Sequence, residues 1–267
     1  MRKYSDHRTA LITGGGSGIG HSTARLLLSS GWNVIVFDHR IPTASSFRAG
    51  CSFSRIDVTD AHAFNAAIAT FRQRLDALVL CAAESPFSTD SIKILQTNGC
   101  APITNALACI PHLRRDSSIV LVSSTAAYRT TATSSLRRHV SHLMAGEGNE
   151  QLPRSCLHMS SQEAYRYAKL MLLEAVRPLA LLFSKTFIRV NCIALGPTLT
   201  PMSKAAWSLN PQLWRKLLKE SPFNRANTAA EVAELITFLC DPKARNITGS
   251  CIHFDGGWFL NHESKTT

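Results

Sequence analysis

Short, mostly apolar runs alternate with longer amphipathic stretches along this chain. In the first such stretch, for example, Ala24, Leu27 and Leu28 fall at helical spacing. Strands that alternate with helices pair in parallel, because each helical crossover returns the chain across the sheet. The pattern therefore predicts an α/β fold built on a doubly wound parallel sheet. Strands are predicted at Ala10–Ile12, Val34–Phe37, Leu78–Leu80, Ile119–Val122, Ile188–Asn191 and Cys251–Phe254.

The stretch between Val122 and Tyr165 is about forty residues long, more than a single connection usually needs. Within it, apolar residues at i, i+4, i+7 and i+8 predict a short amphipathic helix. We interpret residues 129–160 as an insertion into the alternating pattern. The apolar residues of the predicted helix are Leu136, Val140, Leu143 and Met144.

A second long connection, residues 201–222, is rich in aromatic and aliphatic side chains. Apolar helices at the carboxyl edge of such a sheet often cover a substrate pocket, and an ordinary core-packing helix explains the same pattern. Both interpretations stay open from the sequence, and we expect a helical segment that covers the substrate. Its large apolar residues are Trp207, Leu209, Leu213, Trp214, Leu217 and Leu218.

The length of 267 residues and the 45% hydrophobic content suffice to bury one large core, so residues 1–267 are expected to form a single domain. The segment Met1–Arg8 is charged and polar, and no apolar stretch approaches the roughly 18 residues of a membrane span. We therefore expect a soluble, cytoplasmic protein without a membrane partner. The eight cysteines are scattered singly, which predicts reduced, buried thiols and no metal site.

The formal net charge of +11 could reflect a nucleic-acid or membrane partner, or attraction of an anionic ligand such as a dinucleotide. Lysines and arginines are dispersed along the chain, however, and are not interleaved with aromatic residues that could stack on bases. We therefore interpret the charges as solvated faces and expect no nucleic-acid partner.

A glycine-rich turn, Thr13–Gly20, follows the first predicted strand and opens the first predicted helix. Glycines permit a tight turn and let main-chain N–H groups approach a pyrophosphate, whose charge the helix N-terminus favours. Alone, such a turn is as readily structural, but its place between strand and helix favours dinucleotide binding on a Rossmann-type sheet. The candidate cofactor-binding residues in the turn are Gly14, Ser17, Gly18, Ile19 and Gly20.

Asp38 ends the second predicted strand, about twenty residues after the glycine turn. A carboxylate there can accept hydrogen bonds from the adenosine ribose hydroxyls and would repel a 2′-phosphate. Arg40, two residues on, offers an alternative, because its guanidinium could accommodate that phosphate. On balance Asp38 predicts NAD as the cofactor.

Asp57, which precedes Val58, ends a third predicted strand, Phe53–Asp57. The Asp57 carboxylate could accept a hydrogen bond from the adenine amino group, since this strand would end at the same edge of the sheet. The alternative is a helix N-cap, for which Asp60 is better placed. Asp57 and Val58 are kept as candidate cofactor-binding residues.

Tyr165 and Lys169 are four positions apart, which places them on one face of a helix. A tyrosine is a poor base at its ordinary pKa near 10, but a neighbouring ammonium stabilises the phenolate and brings proton transfer nearer to operating pH. Many exposed helices carry this spacing, so the pair indicates a catalytic site only in combination with other motifs.

Joined to the glycine turn, the pair resembles the short-chain dehydrogenase/reductase family. The family's Thr-Gly-x-x-x-Gly-x-Gly turn corresponds to Thr13–Gly20 and its Tyr-x-x-x-Lys motif to Tyr165 and Lys169. The resemblance covers nearly the whole chain, from about Thr9 to Trp258. It implies alcohol–carbonyl interconversion with a nicotinamide cofactor.

The resemblance implies roles for further residues. The family's catalytic serine falls on Ser124, with Ser123 as its adjacent competitor, and its helical asparagine, which supports a water-mediated proton relay, falls on Asn98. The segment after the sixth strand resembles the family's Pro-Gly turn that contacts the nicotinamide amide. Counting the residues after strand four as well, the implied cofactor contacts are Ala82, Ala83, Pro197, Thr198 and Thr200.

The chain departs from the family pattern at two places. The usual Asn-Asn-Ala-Gly after strand four is Leu80–Ala83, and Leu195 replaces the proline of the Pro-Gly turn. The 41 positions from Ser124 to Tyr165 are also unusually many. The insertion and Val79–Ala82 resemble the subgroup of bacterial 3α-hydroxysteroid dehydrogenase/carbonyl reductase and coniferyl-alcohol dehydrogenase.

We therefore expect an NAD-dependent oxidoreductase for a small, largely apolar alcohol of the steroid, terpenoid or aryl class. Two alternatives stay open. One is a 3-oxoacyl thioester reductase of the same family, which preference for NADPH would favour and Asp38 opposes, and the other is a non-catalytic dinucleotide-binding regulatory protein. Since the family usually pairs its subunits, we expect a homodimer, with a tetramer as the other option.

Overall fold

The computed structural model describes residues 8–40, 49–147 and 152–263. The strands in these ranges are β1 (Thr9–Thr13), β2 (Asn33–Asp38), β3 (Cys51–Arg55), β4 (Leu75–Leu80), β5 (Leu113–Ser124), β6 (Arg189–Leu195), β7 (Thr198–Leu199), β8 (Asn227–Thr228) and β9 (Cys251–Phe254). The α-helices are α1 (Gly18–Ser29), α2 (Ala61–Ala69), α3 (Ser91–Leu95), α4 (Ala101–Ala108), α5 (Ser134–Met144), α6 (Ser161–Phe183), α7 (Pro201–Leu209), α8 (Pro211–Lys219), α9 (Ala229–Cys240) and α10 (Trp258–Glu263).

Seven strands form one parallel sheet in the order β3-β2-β1-β4-β5-β6-β9. The strand order reverses at β1, which pairs with β2 on one side and β4 on the other. This is the doubly wound, Rossmann-type, single-domain fold that the alternating pattern predicts. The predicted fold class is confirmed. All seven carboxyl ends lie at one edge, where ligands of such sheets bind. The short strands β7 and β8 pair separately.

Apolar side chains cover both faces of the sheet, which explains the nearly unbroken apolar runs of its central strands. One layer packs α1 against β1 and β2 and α9 against β4 and β5, with Leu27 and Ile236 buried there. The other packs α2, α4 and α6 against the opposite face, where Phe64, Ile103 and Met171 are buried. The glycine turn and the start of α6 are thereby fixed on a rigid core.

The third strand differs from its prediction. It covers Cys51–Arg55 rather than Phe53–Asp57. The reason is its register with β2: Cys51 is opposite Val34, and Arg55 is opposite Asp38, where β2 ends. Asp57 consequently lies in the turn beyond the strand.

The predicted helix of the insertion is present as α5 and packs against α4 and α6. Leu136, Val140 and Leu143 are buried in the main core. Met144 is partly buried and packs against this core. The limits 129–160 of the insertion stay a prediction, and its residues 148–151 lie outside the described ranges.

The segment 201–222 forms two helices, α7 and α8, which meet at Asn210. The rings of Trp207 and Trp214 lie 4.7 Å apart between centroids and join the two helices. Trp214 is buried, so part of the apolar pattern is core packing. Among the described residues, no helix is long and apolar enough to cross a membrane.

The buried His139 of α5 makes the attachment of the insertion sensitive to pH. Burial, with a smaller effect of His142, lowers the pKa of His139 below its ordinary value, so the folded state favours the neutral ring. Stability from this group is therefore present above the unfolded pKa of about 6.5 and is lost as pH falls. We expect urea unfolding to show a smaller loss of stability between pH 7.5 and 5.5 in His139→Gln than in the wild type. The exposed His62→Gln should behave as the wild type, and an unchanged loss in His139→Gln would contradict the prediction.

Candidate active site

The glycine turn is packed too closely for side chains at key positions. A Cβ on Gly14 would lie 2.6 Å from the Cα of Ala82, and one on Gly20 would lie 2.3 Å from the carbonyl oxygen of Gly14. Thr13 adds a tie to β4, since its hydroxyl accepts hydrogen bonds from the N–H groups of Cys81 (3.2 Å) and Ala82 (3.3 Å). The central strands are thus held together although the family's asparagine is replaced.

The N-terminus of α1 can take an anion. Ser17 occupies the N-cap position, and no side-chain hydrogen bond caps the helix there. The first N–H groups of a helix lack helical partners, and an uncapped end leaves them to a ligand. The close-packed glycine cradle and this uncapped end fit the pyrophosphate of a dinucleotide, with Gly18, Ile19 and Gly20 in the first turn.

Asp38 stands beside the glycine turn, as its place at the end of β2 predicts. Its Oδ2 accepts from the N–H of Gly16 at 2.9 Å, and its Oδ1 accepts from the N–H of Arg40 at 3.0 Å. Arg40 therefore contacts the carboxylate through its main chain while the residue as a whole is exposed. The buried Asp38 carboxylate is held at the position where an adenosine ribose would enter.

Asp57 and Asp60 have different hydrogen-bond partners: Asp60 caps a helix, and Asp57 bonds within its own turn. Asp60 caps α2, accepting from the N–H of Ala63 at 2.9 Å, as the N-cap alternative predicts. The Oδ1 of Asp57 accepts from the N–H (3.0 Å) and hydroxyl (2.7 Å) of Thr59. Asp57 thus shapes its own turn, with Val58 buried beside it, and its contact with adenine stays a prediction.

Asn98 lies in a π-helical turn, Gln96–Cys100, between α3 and α4. Its side chain is fully buried and holds the loop after β4: Nδ2 donates to the carbonyl of Glu84 at 2.9 Å, and Oδ1 accepts from the N–H of Glu84 at 2.7 Å. Single π turns within helices frequently lie at functional sites. The side chain of Asn98 thereby fixes the loop that carries Ala82 and Ala83.

Strand alternation separates the two candidate serines at the end of β5. Ser123 is buried, and its hydroxyl donates to the carbonyl of Lys169 at 2.7 Å. Ser124 points to the opposite side, where its hydroxyl accepts from the N–H of Ala126 at 3.2 Å and is hydrogen-bonded to Tyr165. The geometry therefore favours Ser124 over Ser123 as the serine beside the tyrosine.

The helix α6 carries Tyr165 and Lys169 on one face, as their spacing predicts. Its start is fixed by a capping box, in which Ser160 and Glu163 exchange side-chain to main-chain hydrogen bonds. Lys169 is only 3% exposed, and its Nζ donates to the carbonyl of Val122 at 2.8 Å. The same Nζ lies 5.8 Å from the centroid of the Tyr165 ring.

Burial dominates the proton affinities of this pair. It lowers the pKa of Lys169 to about 8, against a smaller opposing effect of Cys81 and Cys192. It raises the pKa of Tyr165, and the hydrogen bond with Ser124 only opposes this. Burial thus opposes the lowering of the Tyr165 pKa that the Tyr–Lys spacing predicts.

The segment after β6 returns to the glycine turn. Leu195 is still part of β6, and Pro197 precedes the buried Thr198, whose hydroxyl donates to the carbonyl of Gly196 at 2.9 Å. Thr200 caps α7, and a Cβ on Gly18 would lie 3.4 Å from its side chain. The residues that resemble the family's nicotinamide-binding turn thus stand next to the phosphate turn.

A connection that no motif indicated joins the α7–α8 segment to the turn after Ser124. Glu220, which follows α8, forms an ion pair with Arg129 and accepts from the indole N–H of Trp258 at 2.9 Å. The Arg129 guanidinium also lies 5.2 Å from the centroid of the Trp258 ring. Ninety-one positions separate Glu220 from Arg129, so no local pattern could pair them.

Known proteins resemble this chain along most of its length. One family model, described as short chain dehydrogenase, matches residues 8–136, and one described as enoyl-(acyl carrier protein) reductase matches residues 149–259. The chain is 31% identical to Protein FixR of Bradyrhizobium diazoefficiens, over 95% of this chain and 87% of that protein. It is 29% identical to the coniferyl-alcohol dehydrogenase of a Pseudomonas species, over 94% of this chain and 96% of that protein.

The solved structure of a 3-alpha-hydroxysteroid dehydrogenase from a Pseudomonas species, complexed with NADH, has the same fold. It matches with a TM-score of 0.76 at 24% identity and covers 97% of this chain and 100% of its own. This chain belongs to the short-chain dehydrogenase/reductase family, whose members are oxidoreductases that bind a nicotinamide dinucleotide. Within the family, the likeness to the coniferyl-alcohol dehydrogenase supports the subgroup that the insertion suggested.

The Asn98 side chain should matter for the site as well as for stability. In Asn98→Ala both hydrogen bonds to Glu84 are lost, and we expect unfolding by urea to show a loss of about 1–3 kcal/mol. Asn191 is a matched control, because its buried amide also bridges two main-chain groups, those of Ile247 and Ser250. Asn191→Ala should lose similar stability yet bind NADH as the wild type does, measured by fluorescence titration. Equal NADH affinity in both variants would contradict a role for Asn98 in the cofactor site.

Proposed function

We propose that this protein catalyses the reversible, NAD-dependent oxidation of a primary or secondary alcohol to its carbonyl. The observation that carries the proposal is the Tyr165 hydroxyl, hydrogen-bonded to Ser124 and one helical turn from the buried ammonium of Lys169. The bound dinucleotide supplies the hydride acceptor in oxidation and the donor in reduction. The protein supplies the proton chemistry and the alignment.

Tyr165 is the proton carrier in this mechanism. In oxidation it accepts the proton of the substrate hydroxyl, and in reduction it returns a proton to the carbonyl oxygen. Because burial disfavours the phenolate, proton acceptance depends on a nearby cation, and Lys169 is placed for this. Ser124 donates to the substrate oxygen and stabilises charge that develops there.

Lys169 also has donors for the cofactor. An ammonium carries three N–H groups, and the carbonyl of Val122 takes one of them. The others can hold the nicotinamide ribose hydroxyls, while the loop fixed by Asn98 supports the ring. With a pKa of about 8, Lys169 is close enough to neutral pH to relay a proton.

The substrate is proposed to be small and largely apolar, of the steroid, terpenoid or aryl alcohol class. Its pocket would be covered by α7 and α8, which present Met202 and the Trp207–Trp214 pair near the turn that holds Thr200. The likeness to a protein named coniferyl-alcohol dehydrogenase supports this choice. A panel of these alcohols, followed by NADH absorbance, would define the class.

Removing the Tyr165 hydroxyl should remove most of the turnover. In Tyr165→Phe we expect kcat to fall by about 10²–10⁴-fold, the usual contribution of a positioned proton carrier, while NADH still binds. Tyr167→Phe is the matched control, since its hydroxyl is buried in the core on the same helix. Comparable activity of Tyr165→Phe and Tyr167→Phe would exclude the proposed proton carrier.

Asp38 should set the preference for NAD. Its loss removes hydrogen bonds from ribose hydroxyls to a charged group, each worth about 1.5–3 kcal/mol, so Asp38→Ala should lower kcat/KM for NAD by about 10- to 100-fold. It should also raise the relative use of NADP. Asp76→Ala is the control, because that carboxylate also accepts from a main-chain N–H, that of Thr9, at the start of β1. A wild-type preference for NADP would overturn this part of the proposal.

A second candidate is the reduction of 3-oxoacyl thioesters. The family model over residues 149–259 is named for an acyl carrier protein reductase. A surface cavity of about 490 Å³ beside α8 is lined by Arg215, Lys216 and Lys219, which suits an acidic carrier. NADPH oxidation with a 3-oxoacyl thioester, but not with simple ketones, would favour it, and no nicotinamide turnover with any substrate would favour a regulatory protein.

A further inference from the structure

Two thiols, a phenol and an imidazole meet at the edge of the sheet formed by β6 and β9. Cys192 and Cys251 are direct neighbours in the register of these parallel strands. His253, two residues after Cys251, lies on the same face of β9, and Tyr128 of the turn Thr125–Arg129 covers them. Both cysteines are free thiols, and none of these four residues has a role in the mechanism above.

The sulfur of Cys251 lies among groups that can donate hydrogen bonds to it. The hydroxyl oxygen of Tyr128 lies 3.5 Å from it, in a contact in which either atom can be the donor, and Cys192 is its neighbour in the strand register. Interaction with the Cys192 thiol, together with Tyr128 and the N–H of Ala194, outweighs burial and lowers the pKa of the Cys251 thiol to about 7. Donors that stabilise a thiolate are what distinguishes a reactive cysteine from an inert buried one.

Tyr128 is held in place by its own neighbours. Its hydroxyl oxygen lies 2.7 Å from Nε2 of His253, and the His253 ring stacks on Phe259 with centroids 4.0 Å apart. The phenol is therefore positioned to keep its contact with Cys251. Burial raises the pKa of Tyr128, so the hydroxyl stays protonated and can act as a donor.

Cys192 differs from Cys251 in a way that suits a second step. It is fully buried, and burial raises its pKa well above the ordinary value, so it remains a thiol. Neighbouring strands lie about 4.7–4.9 Å apart, within the Cα separation of roughly 4.4–6.8 Å that a disulfide spans. The two sulfurs can therefore bond without a change of strand register.

We propose that Cys251 and Cys192 form a peroxide-reactive dithiol, with Cys251 as the nucleophile and Cys192 as the resolving thiol. The Cys251 thiolate attacks one oxygen of a hydroperoxide, forming a sulfenic acid and releasing hydroxide, or alkoxide from an organic peroxide. The hydroxide or alkoxide released in that step takes the proton of Cys192, whose sulfur then attacks the sulfenic sulfur, forming the disulfide and releasing the sulfenic oxygen as hydroxide. Two thiols are oxidised by two electrons, and the peroxide is reduced.

The site is chemically distinct from the other accessible thiols. Cys51 is also partly exposed, yet burial raises its pKa to about 11. Weighing thiolate fraction against nucleophilicity, Cys251 should react roughly 10- to 100-fold faster than Cys51 at pH 7. Cys192 also interacts electrostatically with Lys169, so oxidation of this pair takes place close to a residue of the proposed mechanism.

The first test treats the whole protein with hydrogen peroxide and analyses tryptic peptides by mass spectrometry. We expect residues 190–204 and 246–265, which contain Cys192 and Cys251, to appear as a disulfide-linked pair that dithiothreitol separates. Cys192→Ser should instead accumulate a sulfenic acid at Cys251 that dimedone traps, and Cys51→Ser should behave as the wild type. Absence of the linked pair while other cysteines are oxidised would overturn the proposal.

The second test needs no cysteine variant. Iodoacetamide labelling of the wild type, followed at each cysteine from pH 5.5 to 9, should show Cys251 reacting with a midpoint near 7 and Cys51 reacting far more slowly. Tyr128→Phe removes one donor and should move the Cys251 midpoint to higher pH. Equal labelling rates at Cys251 and Cys51 at pH 7, or a midpoint unmoved by Tyr128→Phe, would refute the arrangement.

Discussion

Two hydrogen bonds hold α6, which carries Tyr165 and Lys169, against β5, which carries Ser124. The ammonium of Lys169 donates to the carbonyl of Val122, and the hydroxyl of Ser123 donates to the carbonyl of Lys169. Both are buried, so neither is weakened by competition with water. They fix the rotation of α6 about its axis and its height along β5. With the rotation and the height of α6 fixed in this way, Tyr165 lies beside Ser124.

The parts that the sequence predicts are those governed by local periodicity. The order of strands and helices, the glycine turn and the Tyr165–Lys169 face follow from spacing along one element. Even α5 was predictable, because Leu136, Val140 and Leu143 show a helical period. The third strand was misplaced by two residues, since its end depends on pairing with β2 and not on its own side chains.

The parts that could not be predicted depend on residues far apart in the chain. The hydroxyl of Ser123 is bonded by the main chain of α6, and the Asn98 amide is bonded by the main chain of Glu84. The pKa of the site residues is the property that is hardest to predict from the sequence. A Tyr–Lys spacing indicates a lowered tyrosine pKa, whereas burial raises the pKa of Tyr165, and burial depends on the whole core.

The carboxylate of Glu220 joins three regions that chain order keeps apart: the end of α8, the turn after Ser124 and the C-terminal helix α10. Changes in the last residues of the described chain would thus be transmitted to the α7–α8 segment that we propose covers the substrate. Relatives that diverge only at their C-termini could then differ in the alcohols they accept while sharing one set of reacting groups. The tail of such a protein is a place where selectivity can evolve independently of rate.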